Sequence, residues 1–309
     1  MTKHVSFAIA GIVIVLFVHL FRLGSYSINP DEAVTLMIAK GRINEPSTYL
    51  SAKPVPLNKN PFTQFDYLKQ NTLSNTVDAA LRDNGNGILY NLSLHTWLNF
   101  FPVTVFNARL LSVLCALLCI CLTYQFVNRI YNHQLTAVLT ALLLGLHPLF
   151  LSYSHQARSP MMCLLFFLLS LQFLLTAKQN ESIIHWCLTG LFALCSFLCH
   201  YLIIYAYLFA AIWFLLYQQT DWWKSRSQIV GIFCGFVLFV AGVMLWFKYF
   251  GGDKGLEVIK NQNEVILTLP DSKLSIGNYL KGLLRQLSGI FGIHFQFLGF
   301  RIREYGIFI

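Results

Sequence analysis

Apolar runs close to the thickness of a bilayer recur along this chain and leave it few folds to adopt. They lie near 5–22, 104–127, 134–152, 160–177, 183–199, 201–217, 228–248 and, less cleanly, 278–300. In hydrocarbon the backbone must satisfy its own N–H and C=O groups, and continuous runs of roughly 20 apolar residues do so as helices. The expected fold is therefore all-α and polytopic, with about eight transmembrane helices. Composition agrees: 56% of the residues are hydrophobic, 11% are charged, and the mean hydropathy of +0.58 excludes an ordinary soluble domain.

The first run follows Lys3 and His4 and has no small-residue cleavage site before Arg22, so it reads as a signal-anchor helix. All eight cysteines fall within apolar runs and form no CxxC pair, which makes them small packing residues, not disulfide partners or metal ligands. The formal charge of +9 comes from Lys and Arg scattered through loops and helix ends, not from a basic block beside exposed aromatics. Nucleic acid is thus not an expected partner; topology and the anionic phosphate or lipid headgroups of the membrane are.

Basic residues in short loops orient the chain. With Lys3 inside, the inner loops carry Arg129 and His133, then Lys178, then Lys224 and Arg226, then Arg301 and Arg303; the short outer turn at 153–159 carries only Arg158, and the outer turn near His200 carries no Lys or Arg. The organisation expected is one membrane domain over 1–309: helix 1 within 1–22, an outer loop at 23–103, helices 2–7 within 104–248, an outer loop at 249–277, and helix 8 with the start of a further span in 278–309. Glu304–Ile309 resembles the start of a span, so a chain truncated at its C-terminus is expected.

The long first loop has order of its own. Ile88–Phe101 places Asn91, His95 and Asn99 four residues apart, one polar stripe on an apolar helix too short to cross a bilayer. A helix lying in the outer interface is expected, started by the turn Asn84-Gly85-Asn86-Gly87. A second short helix should begin at Asn29, with Pro30 in its first position and acids in its first turn. The Pro-rich segment 44–62 reads as an irregular loop. Two juxtamembrane helices are thus expected in this loop.

The polar residues beside the membrane gather at its outer side: Asp31 and Glu32 after the first span, Arg109 at the start of the second, Tyr153, His155, Gln156 and Arg158 after the third, His200 and Tyr201 after the fifth. Carboxylates are costly in low-dielectric surroundings unless a partner or substrate uses them. Each residue also has a structural reading. Asn29 with Glu32 fits a capping box; Arg109 and Arg158 fit headgroup anchors; His200 and Tyr201 fit the interfacial aromatic belt. His147, before Pro148, reads as a buried hydrogen-bonding histidine at a kink.

Together these residues suit transfer of a sugar from a lipid phosphate to a hydroxyl. A phosphate leaving group needs no proton, so the acid partner of a glycosidase is dispensable and positive charge is needed instead. Arg109 and Arg158 are candidates for holding that phosphate. Asp31 is the candidate base for the acceptor hydroxyl, with Glu32 orienting it or the acceptor. Tyr153, His155, Gln156, His200 and Tyr201 are candidate substrate-binding residues. Attack opposite the phosphate inverts the sugar carbon.

The chain resembles the GT-C superfamily of membrane glycosyltransferases, specifically the family 39 type that includes protein O-mannosyltransferases and, more distantly, lipid A aminoarabinose transferases. The similarity rests on Asp31-Glu32-Ala33, on Leu89-Tyr90 before a helix containing Trp97, on Ala108-Arg109-Leu110-Leu111-Ser112, on Tyr153-Ser154-His155-Gln156-Ala157-Arg158, and on His200-Tyr201. The resemblance implies a polyprenyl-phosphate sugar donor, a catalytic Asp in the first outer loop (here Asp31), two juxtamembrane helices in that loop, and basic positions Arg109 and Arg158 near the donor phosphate. It implies a lipid, glycan or protein acceptor and a multi-pass protein of the plasma (inner) membrane, with its site on the periplasmic or extracytoplasmic side. Relatives commonly show Glu where Gln156 stands and a His-Pro pair where this chain has Asn86-Gly87-Ile88; loss of that acid weakens the case for a metal in the turn. No cofactor is indicated, and a divalent metal stays an open alternative.

A lipid or solute transporter or flippase is the rival reading, since polar residues at helix mouths also line substrate paths. Against it, the chain has no symmetric pair of Gly- or Pro-broken helices, and its polar set is not at mid-membrane. An inactive membrane scaffold with Asp31 as a helix cap is the third.

Overall fold

The computed structural model describes residues 2–25, 27–41, 72–83, 85–217 and 226–249. The expected span at 278–300 and the irregular loop at 44–62 lie outside them. The chain divides into two compact units, Met1–Gly255 and Leu256–Ile309, and every described residue belongs to the first.

The described residues are helical throughout, with no strand among them: α1 Thr2–Leu20, α2 Pro30–Ala39, α3 Leu73–Arg82, α4 Ile88–Phe100, α5 Val105–Tyr131, α6 Gln134–Leu146, α7 Pro148–Ser154, α8 Pro160–Asn180, α9 Ile183–Cys199, a 3-10 turn Tyr201–Ile203, α10 Ile204–Tyr217 and α11 Arg226–Tyr249. Three of them, α5, α8 and α11, are long and apolar enough to cross a membrane, and α6 with α7 makes a fourth if the bent pair is one span. The expected spans at 5–22, 183–199 and 201–217 fall on shorter apolar helices. The protein is an integral membrane protein: its apolar helices leave Phe233, Phe236 and Met244 of α11 and Leu118 of α5 exposed on their outer faces, where hydrocarbon is the fitting solvent.

The α6–α7 pair turns by 60° at His147-Pro148. Pro148 has no N–H to continue the ladder of α6, so the helix ends at His147 and a new one starts. The kink expected there is present, but the burial is not: His147 is exposed. His19 of α1 takes the buried place instead, its ring reaching Ser154 Oγ at 2.9 Å and the Gly145 carbonyl at 3.0 Å.

Glycines bring α9 and α11 into backbone contact. A Cβ on Gly190 would collide with the carbonyl of Gly235, and one on Gly235 would stand 2.5 Å from the Trp186 carbonyl. Gly231 and Gly235, four apart, present one flat stripe to Trp186 and Gly190, the small-residue packing that brings helices together where lipid removes the hydrophobic incentive.

Three short helices, α2, α3 and α4, pack together at one end of this bundle. Two were expected; α3 is an addition. Leu73, Val77, Ala80 and Leu81 recur on it at helical spacing, a stripe present in the sequence; its buried positions are Thr76, Ala79 and Ala80, and Thr72 caps it by accepting from Asn75 N–H at 3.4 Å. The polar stripe of α4 joins these helices. His95 Nδ1 lies 2.9 Å from the Ala39 carbonyl at the end of α2 and 2.9 Å from Thr76 Oγ1 of α3, and Asn99 Nδ2 donates to His95 Nε2 at 2.9 Å. The adjacent face of α4, with Tyr90, Leu94 and Leu98, enters the core against Ala108 of α5.

Candidate functional site

Asp31 and Glu32 are consecutive in the first turn of α2, so their side chains leave the axis about 100° apart. Asn29 fixes that turn: its Oδ1 accepts from Asp31 N–H at 3.1 Å, and Pro30 supplies a backbone angle already suited to a helix start. The two carboxylates therefore meet different surroundings.

Glu32 points inward and is 1% exposed. It receives Arg109 Nε on Oε1 and Arg109 Nη2 on Oε2, both at 2.7 Å, and Ala157 N–H on Oε1 at 2.9 Å. Instead of returning to cap α2, it ties the start of α5 and the α7–α8 turn to α2. Arg109 is 2% exposed, and it also donates to the Leu23 carbonyl at 2.9 Å and the Ser27 carbonyl at 3.0 Å, in the segment after α1. A bidentate pair with further backbone partners is the arrangement in which a buried ion pair is tolerated.

Asp31 points outward and is 62% exposed; its Oδ2 lies 3.0 Å from Arg158 Nη1. The Arg158 backbone is held from behind by Ser112 of α5, whose Oγ lies 3.3 Å from the Arg158 carbonyl and 2.9 Å from Tyr90 Oη. Arg158 and Asp31 open onto a polar cavity of ≈ 240 Å³, whose wall also includes Asp83, Asn86, Asn91 and His200. His200 closes α9, and its Nδ1 accepts from Leu202 N–H at 3.3 Å, which leaves the proton of the neutral ring on Nε2. Burial, and then the Arg158 charge, lower its pKa below the usual 6.5.

The structure thus brings Asp31, Arg158 and His200 to one cavity and Glu32 with Arg109 to the frame behind it. All of them stand at one end of the helices, whereas Arg129, about 30 Å along α5 from Arg109, donates to Thr176 Oγ1 at 2.7 Å near the other end of α8. The other candidates stand apart from the cavity wall. His155 Nε2 bonds the His19 carbonyl at 2.9 Å, and Gln156 Nε2 reaches Ser152 Oγ at 3.4 Å. Tyr153 is 39% exposed on α7, and Tyr201 packs toward Trp246 with ring centres 6.5 Å apart. Among the described residues, no group of three or more His, Cys, Asp or Glu is placed to hold a metal ion.

Asp83, Asn86 and Asn91 enter the wall without having been singled out as ligand-facing residues. Asp83 follows α3, in a turn whose glycines Gly85 and Gly87 both sit at φ 66°; that turn chemistry was legible, but which way the Asp83 side chain faces depends on how α3 packs, which residue order alone does not set. Burial pushes the Asp83 carboxyl up to about 6.

A family model described as dolichyl-phosphate-mannose-protein mannosyltransferase matches residues 87–246, just over half of the chain. No curated protein and no solved structure matches.

Proposed function

The chain belongs to the dolichyl-phosphate-mannose-protein mannosyltransferase family, which makes it a membrane glycosyltransferase of the GT-C type, and from that premise we propose that it moves a sugar from a polyprenyl-phosphate donor to an acceptor hydroxyl with inversion. The site is the Asp31–Arg158 pair on the rim of the polar cavity, at the extracytoplasmic face of the plasma membrane. The observation that carries this reading is the 3.0 Å pairing of an exposed carboxylate with a guanidinium, side by side at the mouth of a cavity.

Arg158 is the residue that meets the donor phosphate. It is 30% exposed, and its partner Asp31 is open to solvent, so an entering phosphate can compete for its donors. As the acceptor oxygen bonds to the anomeric carbon, the bond from that carbon to the phosphate oxygen breaks, its electron pair leaves with polyprenyl phosphate, and the hydroxyl proton passes to Asp31. The charge developing on the phosphate is stabilised by the fixed guanidinium.

Arg109 and Glu32 have a different part. Bonded to both oxygens of Glu32 and to the Leu23 and Ser27 carbonyls, the Arg109 guanidinium is committed to the frame. We assign Arg109 and Glu32 as positioning residues: they hold α2 against the Ala157–Arg158 turn and thereby set Asp31 against Arg158. The acceptor class, whether lipid, glycan or protein, follows from the family only as a hydroxyl-bearing partner.

The test is transfer of labelled mannose from polyprenyl-phosphate mannose by the purified protein in membranes supplied with acceptors. Asp31→Asn should abolish labelled product while the protein still inserts and elutes as folded. Undiminished transfer by that variant removes Asp31 as the base.

A further inference from the structure

We propose that the cavity beside Asp31 and Arg158 seats the sugar ring of the donor, and that Asp83, Asn86 and Asn91 read its hydroxyls. This rests on the glycosyltransferase reading and adds residues that lie behind the reacting pair.

The wall shows an unmet need for partners. Asn91 is 3% exposed, and its Oδ1 has no hydrogen-bond partner among the described residues; the same holds for the buried Oδ1 of Asn86. An unpaired buried amide oxygen costs about 1–3 kcal/mol, which native structures seldom bear without a use. Both residues line the same cavity as Asp83 and Asp31. A sugar hydroxyl both donates and accepts, so it satisfies an amide whichever way the amide is turned, and it donates to a carboxylate. An apolar ligand would leave these groups unmet.

Size and position agree. A cavity of ≈ 240 Å³ has room for roughly eight waters at about 30 Å³ each. It falls below the range of about 300–1,000 Å³ common for drug-sized ligands, a size that suits one monosaccharide ring. Asp31 and Arg158 stand on its wall, so a donor whose phosphate meets Arg158 can direct its sugar inward toward Asp83 and Asn91.

The wall is also built to stay in place. Gly85 and Gly87 adopt left-handed backbone angles that fold the chain back from α3 into α4. Trp246 of α11 donates Nε1–H to the Gly85 carbonyl at 3.1 Å in a buried setting. Asp83 is further bound to this turn by the Asn86 N–H, which donates to the Asp83 carbonyl at 3.4 Å. Burial holds the Asp83 carboxyl near 6, as expected of an acid drawn away from water toward a ligand position.

The test is equilibrium binding by the full-length protein in nanodiscs, without turnover. Polyprenyl-phosphate mannose, glucose and galactose are each titrated beside polyprenyl phosphate that carries no sugar. At least one sugar-bearing lipid should bind tenfold or more tightly than the bare lipid phosphate. In Asp83→Asn and Asn91→Leu that ratio should fall below threefold while the bare lipid phosphate binds as in the parent. Asn86→Ala, at a half-buried position, supplies a third variant if Asn91→Leu does not fold. The proposal is overturned if the ratio survives in the variants, or if the parent binds all four lipids equally. Asp31→Asn and labelled transfer decide the glycosyltransferase reading separately, so failure of the sugar-seat proposal is distinguishable from failure of that reading.

Discussion

Glu32 and Arg109, 77 positions apart in the chain, meet in a two-pronged ion pair with both N···O distances at 2.7 Å, buried to within a few percent of complete exclusion from solvent. The pair joins the loop helix α2 to the first turn of α5 and, through Ala157 N–H on the same carboxylate, to the turn that carries Arg158. Geometry at the Asp31–Arg158 pair therefore depends on charge buried behind it.

Removing one member of that pair leaves the other charged and unpartnered. Glu32→Gln should cost about 3–5 kcal/mol of stability and lower transfer along with it. Glu32→Gln combined with Arg109→Met should recover a large part of that loss, because no isolated charge remains. The check is thermal unfolding in detergent, followed by loss of the monodisperse chromatographic peak. Equal instability of the single and double variants would show that the pair's charge is not what binds α2.

Arg158→Lys replaces a planar fork with a point charge. Donor KM should rise about tenfold, equivalent to about 1.4 kcal/mol, with a smaller change in kcat, and stability should hold because Arg158 is partly open to solvent. Steady-state kinetics with polyprenyl-phosphate mannose separates the two parameters. Unchanged donor KM would exclude Arg158 from phosphate binding.

Much of this arrangement could be read from residue order, and the exceptions have physical reasons. Asn29-Pro30 marked the start of α2 because a capping side chain and a ring-fixed φ act locally. The α6–α7 bend followed in the same way from Pro148. The different roles of Asp31 and Glu32 were not legible, since a rotation of about 100° between neighbours decides which faces solvent, and only tertiary packing sets the rotation. Arg109 read as a phosphate ligand or a headgroup anchor; its burial depends on carbonyls of Leu23 and Ser27 brought to it from more than 80 positions away. Asp83 escaped notice although α3 carries Leu73, Val77, Ala80 and Leu81 at helical spacing, because such a stripe marks the helix and not the direction of the carboxylate that follows it.

Close helix contact makes a second stability test. Gly190→Ala would drive a methyl group into the backbone of Gly235, which cannot rotate away, whereas the methyl of Gly242→Ala meets the flexible end of the Leu194 side chain. Gly190→Ala should cost about 1–3 kcal/mol or more, and Gly242→Ala clearly less. Melting of the two variants in detergent gives the comparison. If both melt alike, the backbone contact of α9 with α11 does not limit stability.

Burial of Asp83 also has a signed consequence for pH. Its carboxyl rises from 3.8 to about 6 on folding because the cavity wall disfavours the charged form. Between those values the native chain binds a proton that the unfolded chain has already released. This contribution to stability is therefore greatest below the unfolded value and declines as pH rises through about 6. Asn at this position carries no charge to desolvate, so Asp83→Asn should gain stability relative to the parent as pH rises from about 4, reaching on the order of 2 kcal/mol after allowance for solvent screening and levelling off above about 6. The measurement is the difference in unfolding midpoint between the two proteins across pH 4 to 8, which cancels the titration of the carboxylates they share. A difference that stays flat over that range would mean that Asp83 ionises as freely in the folded chain as in the unfolded one. The same variant should lose donor-sugar discrimination, so it separates what the carboxyl costs the fold from what it contributes to the ligand.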